Sequence, residues 1–231
     1  MVSAAATQEP LTKSVEDYLK AIYHLSLRGV PAGTTDIAHL LDLSPPSVSG
    51  MIKRLAEQGL LEHAPYKGVE LTGAGRRLAL RMVRRHRVLE TYLVEFLGYD
   101  WDTVHEEAER LEHAVSDTLI ERMAAALGHP RVDPHGDPIP AADGTIVELV
   151  FTPLPEVEVG AKVEIRRVDA SHADRLRYLA TLGLKPGTQL IVVDRQPFNG
   201  PITIRSGGQD HIIGHELAMA LLCAPTQVGE E

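Results

Sequence analysis

The hydrophobic pattern of this chain, mostly helical but for one short hairpin, changes period for good at a stretch that suits neither a helix nor a central strand. Up to about residue 127, apolar residues recur at helical spacing. After GHPRVDPHGDPIPAADG (128–144), crowded with proline and glycine, they alternate or run β-branched. A sequence with that switch divides into a helical part and a β-rich part. At 231 residues it is long enough to give each its own core.

The helical part subdivides. SVEDYLKAIYHLSLR (14–28) sets Val15, Tyr18, Leu19, Ile22 and Leu25 at helical spacing, with Ser14 as N-cap. TTDIAHLLDL (34–43) reads as a short helix opened by Thr34 or Thr35, with Ile37, Leu40 and Leu41 on one face. Ser44 caps a third helix whose first turn holds Pro45 and Pro46, where a missing N–H does no harm. It buries Val48, Ile52 and Leu55 and stops at Gly59. LLEHAPYKGVELT (60–72) then reads as two short strands around Pro65-Tyr66-Lys67-Gly68. Helix, short helix, helix and hairpin make a winged helix-turn-helix. A long arginine-rich helix follows from about Gly73 to Leu97. Trp101 anchors the break GYDWD, and another helix spans about 103–127. Beyond the proline-rich stretch, AKVEIRRV, TQLIVVDR, PITIR and DHIIG read as strands, interrupted by a helix at about 172–182. HELAMALLC closes the chain as a short helical turn. The expected fold is α+β. It comprises a winged helix-turn-helix domain (1–74), a helical domain (75–140), a linker (141–155) and a small SH3-like β-barrel (156–231).

Net charge is -9, which by itself argues against a protein that coats nucleic acid. Its distribution says otherwise. Residues 1–87 carry 12 Lys and Arg against 8 Asp and Glu, a net +4; residues 88–140 carry 3 against 12, a net -9; residues 141–231 carry 8 against 12, a net -4. The basic third coincides with the winged helix. There the recognition helix presents Pro45, Pro46, Ser47, Ser49 and Gly50 to base edges, with Lys53 and Arg54 one turn on for phosphates. Thr34 and Thr35 stand at a helix N-terminus suited to phosphate, and Tyr66 and Lys67 at the wing tip. The alternative is a helical hairpin used for protein contacts; the local positive charge weighs against it. The single cysteine, Cys223, excludes an internal disulfide framework. Neither a secretory leader nor an apolar run of membrane length is evident, so a cytoplasmic protein is expected.

The acidic third holds VHEEAERLEHAVSD (104–117). At 100° per residue, His105, Glu109, Glu112 and His113 fall within about 100° on one helix face. Such a group is costly without a cation among it. His86 and Glu90 form an i, i+4 pair on the preceding helix, and Asp17 on the first helix is a further oxygen donor. One His/Glu pair is ordinary helix decoration; six such residues on two consecutive helices point to metal. Carboxylates and imidazoles without thiolate suit Mn(II), Fe(II), Co(II) or Zn(II), and oxygen-rich sites lean to manganese. His105-Glu106 starts like the HExxH helix of zinc hydrolases, but the position where the second His belongs is Glu109.

With these residues in view, the chain resembles the DtxR/MntR family of metal-dependent transcriptional repressors over about residues 11–222. The resemblance is carried by VEDYLKAIYHL, the helix at 44–58, RRHRVLE, VHEEAERLEH, DPHGDPIP and YLATLGLKPGTQLIVV. It implies a dimer of three-part subunits, the last part an SH3-like domain related to FeoA. It also implies a primary metal site at Asp17, Glu109, Glu112 and His113, and an ancillary site at His86, Glu90 and His105. In iron-type members the third domain assists the ancillary site, which makes His172 and Asp174 candidates here. Those members typically place Met at the position of Asp17 and Cys at that of Glu109, so hard oxygen replaces soft sulfur here, as in manganese sensors. Short two-domain manganese sensors carry a ligand Glu at the position of Lys20; a lysine there favours two separated sites.

The expected function is a Mn(II)-responsive regulator of metal-homeostasis genes that binds a palindromic operator in double-stranded DNA as a homodimer. Fe(II) is the alternative effector. No enzyme activity and no membrane partner are expected. A metal-dependent hydrolase would need a base, nucleophile or cleft motif that is not evident, and a regulator sensing an organic ligand would leave the His/Glu cluster as a surface network.

Overall fold

The computed structural model describes residues 12–27, 29–64, 68–147, 149–170 and 172–226. They form two compact units: residues up to Arg84 with Pro140–Thr145, and Arg85–Ile139 with the residues from Ile146 onward.

In the first unit, α1 (Lys13–Ser26), α2 (Thr34–Leu40) and α3 (Pro45–Glu57) precede a hairpin of β1 (Leu61–Ala64) and β2 (Gly68–Leu71). The apolar stripe of α1 is buried as its spacing predicts. The helix starts earlier than expected, at Thr12 rather than Ser14, because the Thr12 carbonyl already accepts from Val15 and Glu16 (2.9 and 3.2 Å). The helix α2 begins at Thr34 as expected, with Gly33 as its N-cap. It buries only Ile37 and Ala38. Leu40 is exposed and Leu41 half-buried, since seven residues end before a wide stripe can form and the chain turns at Asp42, whose φ is 53°. In α3, Ser44 is the N-cap, both prolines sit in the first turn, and Val48, Ile52 and Leu55 are buried. Ala32 bridges Val69, adding a third short segment to the hairpin. Tyr66 and Lys67 lie outside the described residues.

The helix α4 (Gly73–Leu97) begins where the sequence predicts. Thr72 Oγ1 accepts from the Gly75 N–H at 3.1 Å and donates to the Gly59 carbonyl at 2.8 Å, joining the helix start to the hairpin base. Gly75 has no substitute there: a Cβ would lie 2.0 Å from the Leu60 carbonyl oxygen. Arg84 Nη1 donates to the Pro140 carbonyl at 2.7 Å, fastening residues 140–145 to the first unit.

In the second unit the helix expected at 103–127 is two: α5 (Val104–Leu111) and α6 (Asp117–Ala126). Ser116 breaks the run, because its Oγ accepts from the Leu119 N–H (3.2 Å) and starts a new helix. Glu112 and His113 therefore sit on the intervening turn, not on the continued face of one helix. Val88, Leu89, Ala108, Ile120 and Ala124 form the core of this helical part.

A six-stranded antiparallel sheet follows, in the order β3-β8-β4-β5-β6-β7. Its strands are β3 (Thr152–Pro153), β4 (Lys162–Val168), β5 (Gln189–Arg195), β6 (Ile202–Ser206), β7 (Gln209–Ile213) and β8 (Leu221–Pro225). A 3-10 turn (Leu154–Glu156), α7 (Ala173–Thr181) and α8 (His215–Met219) contribute Leu154, Leu176, Leu179 and Ala218 to the core of the sheet. The closing segment read as helical splits into α8 and β8. Leu-Leu-Cys is a short apolar run whose period cannot separate strand from helix, and pairing with β4 and β3 decides it. The strand β3 falls inside the stretch read as linker, and the 3-10 turn straddles its end.

Candidate metal centre

Helical spacing puts His86 and Glu90 one turn apart on α4, and His105 and Glu109 one turn apart on α5. The two pairs face each other. His86 Nε2 lies 2.9 Å from Glu90 Oε1, His105 Nδ1 lies 3.0 Å from the same oxygen, and the two nitrogens are 3.0 Å apart. Three lone-pair atoms at mutual distances near 3 Å repel one another unless protons or a cation lie among them. Donors about 2.1 Å from one cation at right angles are about 3.0 Å apart, so the triangle has the dimensions of one face of an octahedral site. Glu109 Oε1 stands 3.7 Å from both His86 Nδ1 and His105 Nε2 on the half-exposed side.

His86 is oriented from behind. Its Nδ1 lies 2.6 Å from Glu112 Oε2, and the carboxylate can only accept, so Nδ1–H donates and Nε2 is the nitrogen turned toward Glu90. Glu112 is fully buried, and its other oxygen lies 3.4 Å from His113 Nε2. The residues assigned to separate primary and ancillary sites are thus joined through His86–Glu112. Asp17 is half-buried on α1 in the first unit. His172 is the exposed N-cap of α7 and Asp174 pairs with Arg177; neither joins a metal-competent group among the described residues.

A second donor group was not foreseen. Glu90, Asp133 and His135 are all buried, each offering a ligand atom within 4.8 Å of the others. Glu90 uses its other oxygen here: Oε2 lies 3.7 Å from His135 Nδ1. Asp133 Oδ1 accepts from the backbone N–H groups of His135 (2.8 Å) and Asp137 (3.0 Å). Arg87, itself buried, lies 3.6 Å from Asp133 and 3.4 Å from Asp137. The ionisation balance is unusual. Burial alone would raise the Glu90 carboxyl, but His86, His105 and His135 together hold it well below the ordinary carboxylate range. Burial, with Asp137 and Glu90 nearby, pushes Asp133 up to about 7. Burial would depress His135, yet the facing Glu90 and Asp133 carry it up to about 9. The sequence signal was DPHGDPIP, which contributed to the family resemblance without its Asp or His being assigned.

The residues expected from the sequence to face DNA are on the first unit. Ser44, Pro45, Pro46, Ser47, Ser49, Lys53 and Arg54 are exposed on and before α3, while Thr34 is half-buried and Thr35 exposed at the start of α2. Ser49 Oγ donates back to the Pro45 carbonyl (3.0 Å), and Ser47 hydrogen-bonds Tyr18, whose hydroxyl is raised by burial.

Three stretches of the chain match known protein families. Residues 10–69 match the iron dependent repressor N-terminal DNA binding domain, 72–141 the iron dependent repressor metal binding and dimerisation domain, and 152–225 the FeoA domain. The iron-dependent repressor IdeR of Mycobacterium tuberculosis is 32% identical over 227 residues, covering 91% of this chain and 96% of its own. The chain belongs to the DtxR/MntR family. The diphtheria toxin repressor of Corynebacterium diphtheriae is 32% identical over 221 residues, covering 90% of this chain and 95% of its own. Among solved structures, a manganese-dependent transcriptional repressor in complex with manganese superposes with a TM-score of 0.83 at 40% identity, covering 91% of this chain and 99% of that one. The manganese regulator SloR gives 0.76 at 34%, covering 93% and 100%. As a member of this family the chain is a divalent-metal-dependent DNA-binding transcriptional repressor and not an enzyme. No helix among the described residues is long and apolar enough to cross a membrane.

Proposed function

We propose that this repressor answers to Mn(II) and binds a palindromic operator as a homodimer when loaded, controlling genes of metal homeostasis. The observation that carries the reading is the donor set. Every group at the candidate centre is oxygen or imidazole, with no sulfur, and its His86–Glu90–His105 triangle has the edge lengths of an octahedral face. Hard oxygen donors select manganese over softer competitors by ligand type and geometry rather than by affinity. A divalent cation bound there would neutralise carboxylates that otherwise repel.

Glu109, Glu112 and His113 take one ion with Asp17 of the first unit; this assignment rests on the family resemblance and on donor chemistry. His86, Glu90 and His105 take a second, and Asp133 and His135 extend the donor set inward. A cation drawing donors from both units fixes the orientation of each winged helix. Two recognition helices then suit major grooves about 34 Å apart. Ser47, Ser49, Lys53 and Arg54, with Thr34, Thr35 and the wing residues Tyr66 and Lys67, meet the DNA. Metal acts here by binding one arrangement of the units better than the other.

Operator binding across Mn(II), Fe(II), Co(II) and Zn(II), with chelator controls, tests the reading. Tight binding in Mn(II) and weak binding in chelator are expected. Equal affinity in both would end it, and a response to Fe(II) alone would move the chain to the iron-sensing side, where the relatives called IdeR bear an iron-dependent name.

A further inference from the structure

We propose that Trp101 is a positioning residue for the Glu90–Asp133–His135 group, so that loading of that group and seating of the FeoA domain are a single equilibrium. The inference rests on the reading above that this chain's oxygen and imidazole donors hold divalent cations, and it gives the buried Glu90–Asp133–His135 group one of its own.

His135 Nε2 lies 2.6 Å from the Trp101 carbonyl oxygen. A carbonyl only accepts, so this nitrogen carries the hydrogen whatever the state of the other. Nδ1 is thereby the nitrogen turned toward Glu90, at a gap of 3.7 Å. That is long for a direct hydrogen bond. It is nearer the roughly 3.4 Å between two donors on one cation at bond lengths of about 2.1 Å and the tetrahedral angle. A histidine that ligates through one nitrogen and donates from the other to a fixed acceptor has its ring orientation set from behind.

The fixed acceptor is itself fixed by the β-sheet. The Trp101 side chain packs against the core formed by Leu154, Ile165, Leu176 and their neighbours, and its ring lies 5.6 Å from that of His135. The loop bearing Asp133 and His135 is clamped on its other side by the same domain. Val168 of β4 donates its N–H to the His135 carbonyl at 2.8 Å, and Arg167 pairs with Asp137 at 2.8 Å. Gly136, at φ +88°, passes so close to β4 that a Cβ would stand 2.0 Å from the Arg166 carbonyl oxygen. The FeoA domain is in this way part of the scaffold of the inner donors rather than a module on a tether.

The test uses the full-length protein and Mn(II) alone. Trp101 is the single tryptophan, so its emission reports on this place only. In the wild type, Mn(II) should quench that emission in step with filling of the inner group, and His135→Leu should remove that step and one Mn(II) per chain. Trp101→Ala should weaken the same ion about tenfold, the scale of an outer-shell loss, while the other sites keep their affinity; Trp101→Phe, which keeps an apolar ring on the core, should restore it. Full Mn(II) content and unchanged affinity in Trp101→Ala would overturn the proposal, as would equal weakening at every site without rescue by Phe. An operator response to Mn(II) in a wild type whose inner group stays empty would overturn it while leaving the metalloregulator reading intact. No Mn(II) response of any kind would remove both.

Discussion

His86 and His135 face different oxygens of one carboxylate, Glu90, and they are held by different means. His86 Nε2 sits 2.9 Å from Oε1 and is oriented by the Glu112 side chain; His135 Nδ1 sits 3.7 Å from Oε2 and is oriented by the Trp101 main chain. The first histidine belongs to a group on two helices with one rim half-exposed, since His105 keeps 45% of its side chain in solvent. The second lies on an irregular loop and is sealed, at 1% exposure. A sealed donor group must balance its charge from within when no cation is there. The inner group does so with Arg87 and with a proton on His135, whereas the outer group can draw on water. The same chemistry thus carries a larger proton penalty inside than at the rim.

The most severe break is at the shared ligand. Glu90→Gln removes the charge that both histidines face and should weaken Mn(II) at both groups, with operator affinity in Mn(II) falling by about 100-fold. Metal counting and an operator titration read it. Loss at one group alone would show that Glu90 does not bridge them.

The proton balance gives the next effect, on the chelated protein. His135 is raised from 6.5 to about 9, so its contribution to stability is complete below pH 6.5 and is lost as pH rises through 9. Asp133 is raised from 3.8 to about 7, so its contribution also disappears with rising pH, earlier. Glu90 is lowered, and its contribution is lost only in acid, outside this window. Melting of the metal-free protein should therefore fall by roughly 5 °C or more between pH 6.5 and 9.5, and His135→Gln should flatten most of that fall. Mn(II) displaces the His135 proton, so loading should tighten over the same range. A melting temperature level across it would mean that His135 is not held protonated by Glu90.

The same contrast explains what was legible in the sequence. His86 with Glu90 and His105 with Glu109 could be paired on paper because a helix repeats every 3.6 residues and i, i+4 side chains share a face. That rule overran at Ser116. One continuous helix carried Glu112 and His113 to the right neighbourhood for a wrong reason, since they lie on a turn after α5. Asp133 and His135 were invisible as donors. A proline-rich loop has no period, and their meeting with Glu90 is set by Trp101 and β4, which are distant in sequence. The winged helix and α4 were read nearly to the residue because proline, glycine and serine punctuate them. The start of β8 was not, because a three-residue apolar run has no period to read.

The smallest effect sharpens the rim side of the comparison. Glu109 is 39% exposed and stands 3.7 Å from each histidine, farther than the atoms of the triangle, so it is the donor with most freedom to adapt. Glu109→Cys exchanges a hard oxygen for a soft thiolate without touching the sealed group. Total metal content should hardly change. The order of preference should shift toward Fe(II) and Zn(II) over Mn(II) by about tenfold or less, because ligand softness acts on selectivity more than on whether a cation binds. Competition titrations with metal pairs read the ratio, and a parallel Glu112→Cys provides the contrast. Glu112 is fully buried and holds His86 by Nδ1, so replacing it should lower affinity for every metal rather than reorder them. If Glu109→Cys leaves the ratio unchanged, manganese preference is not set at the rim and must come from the triangle of His86, Glu90 and His105.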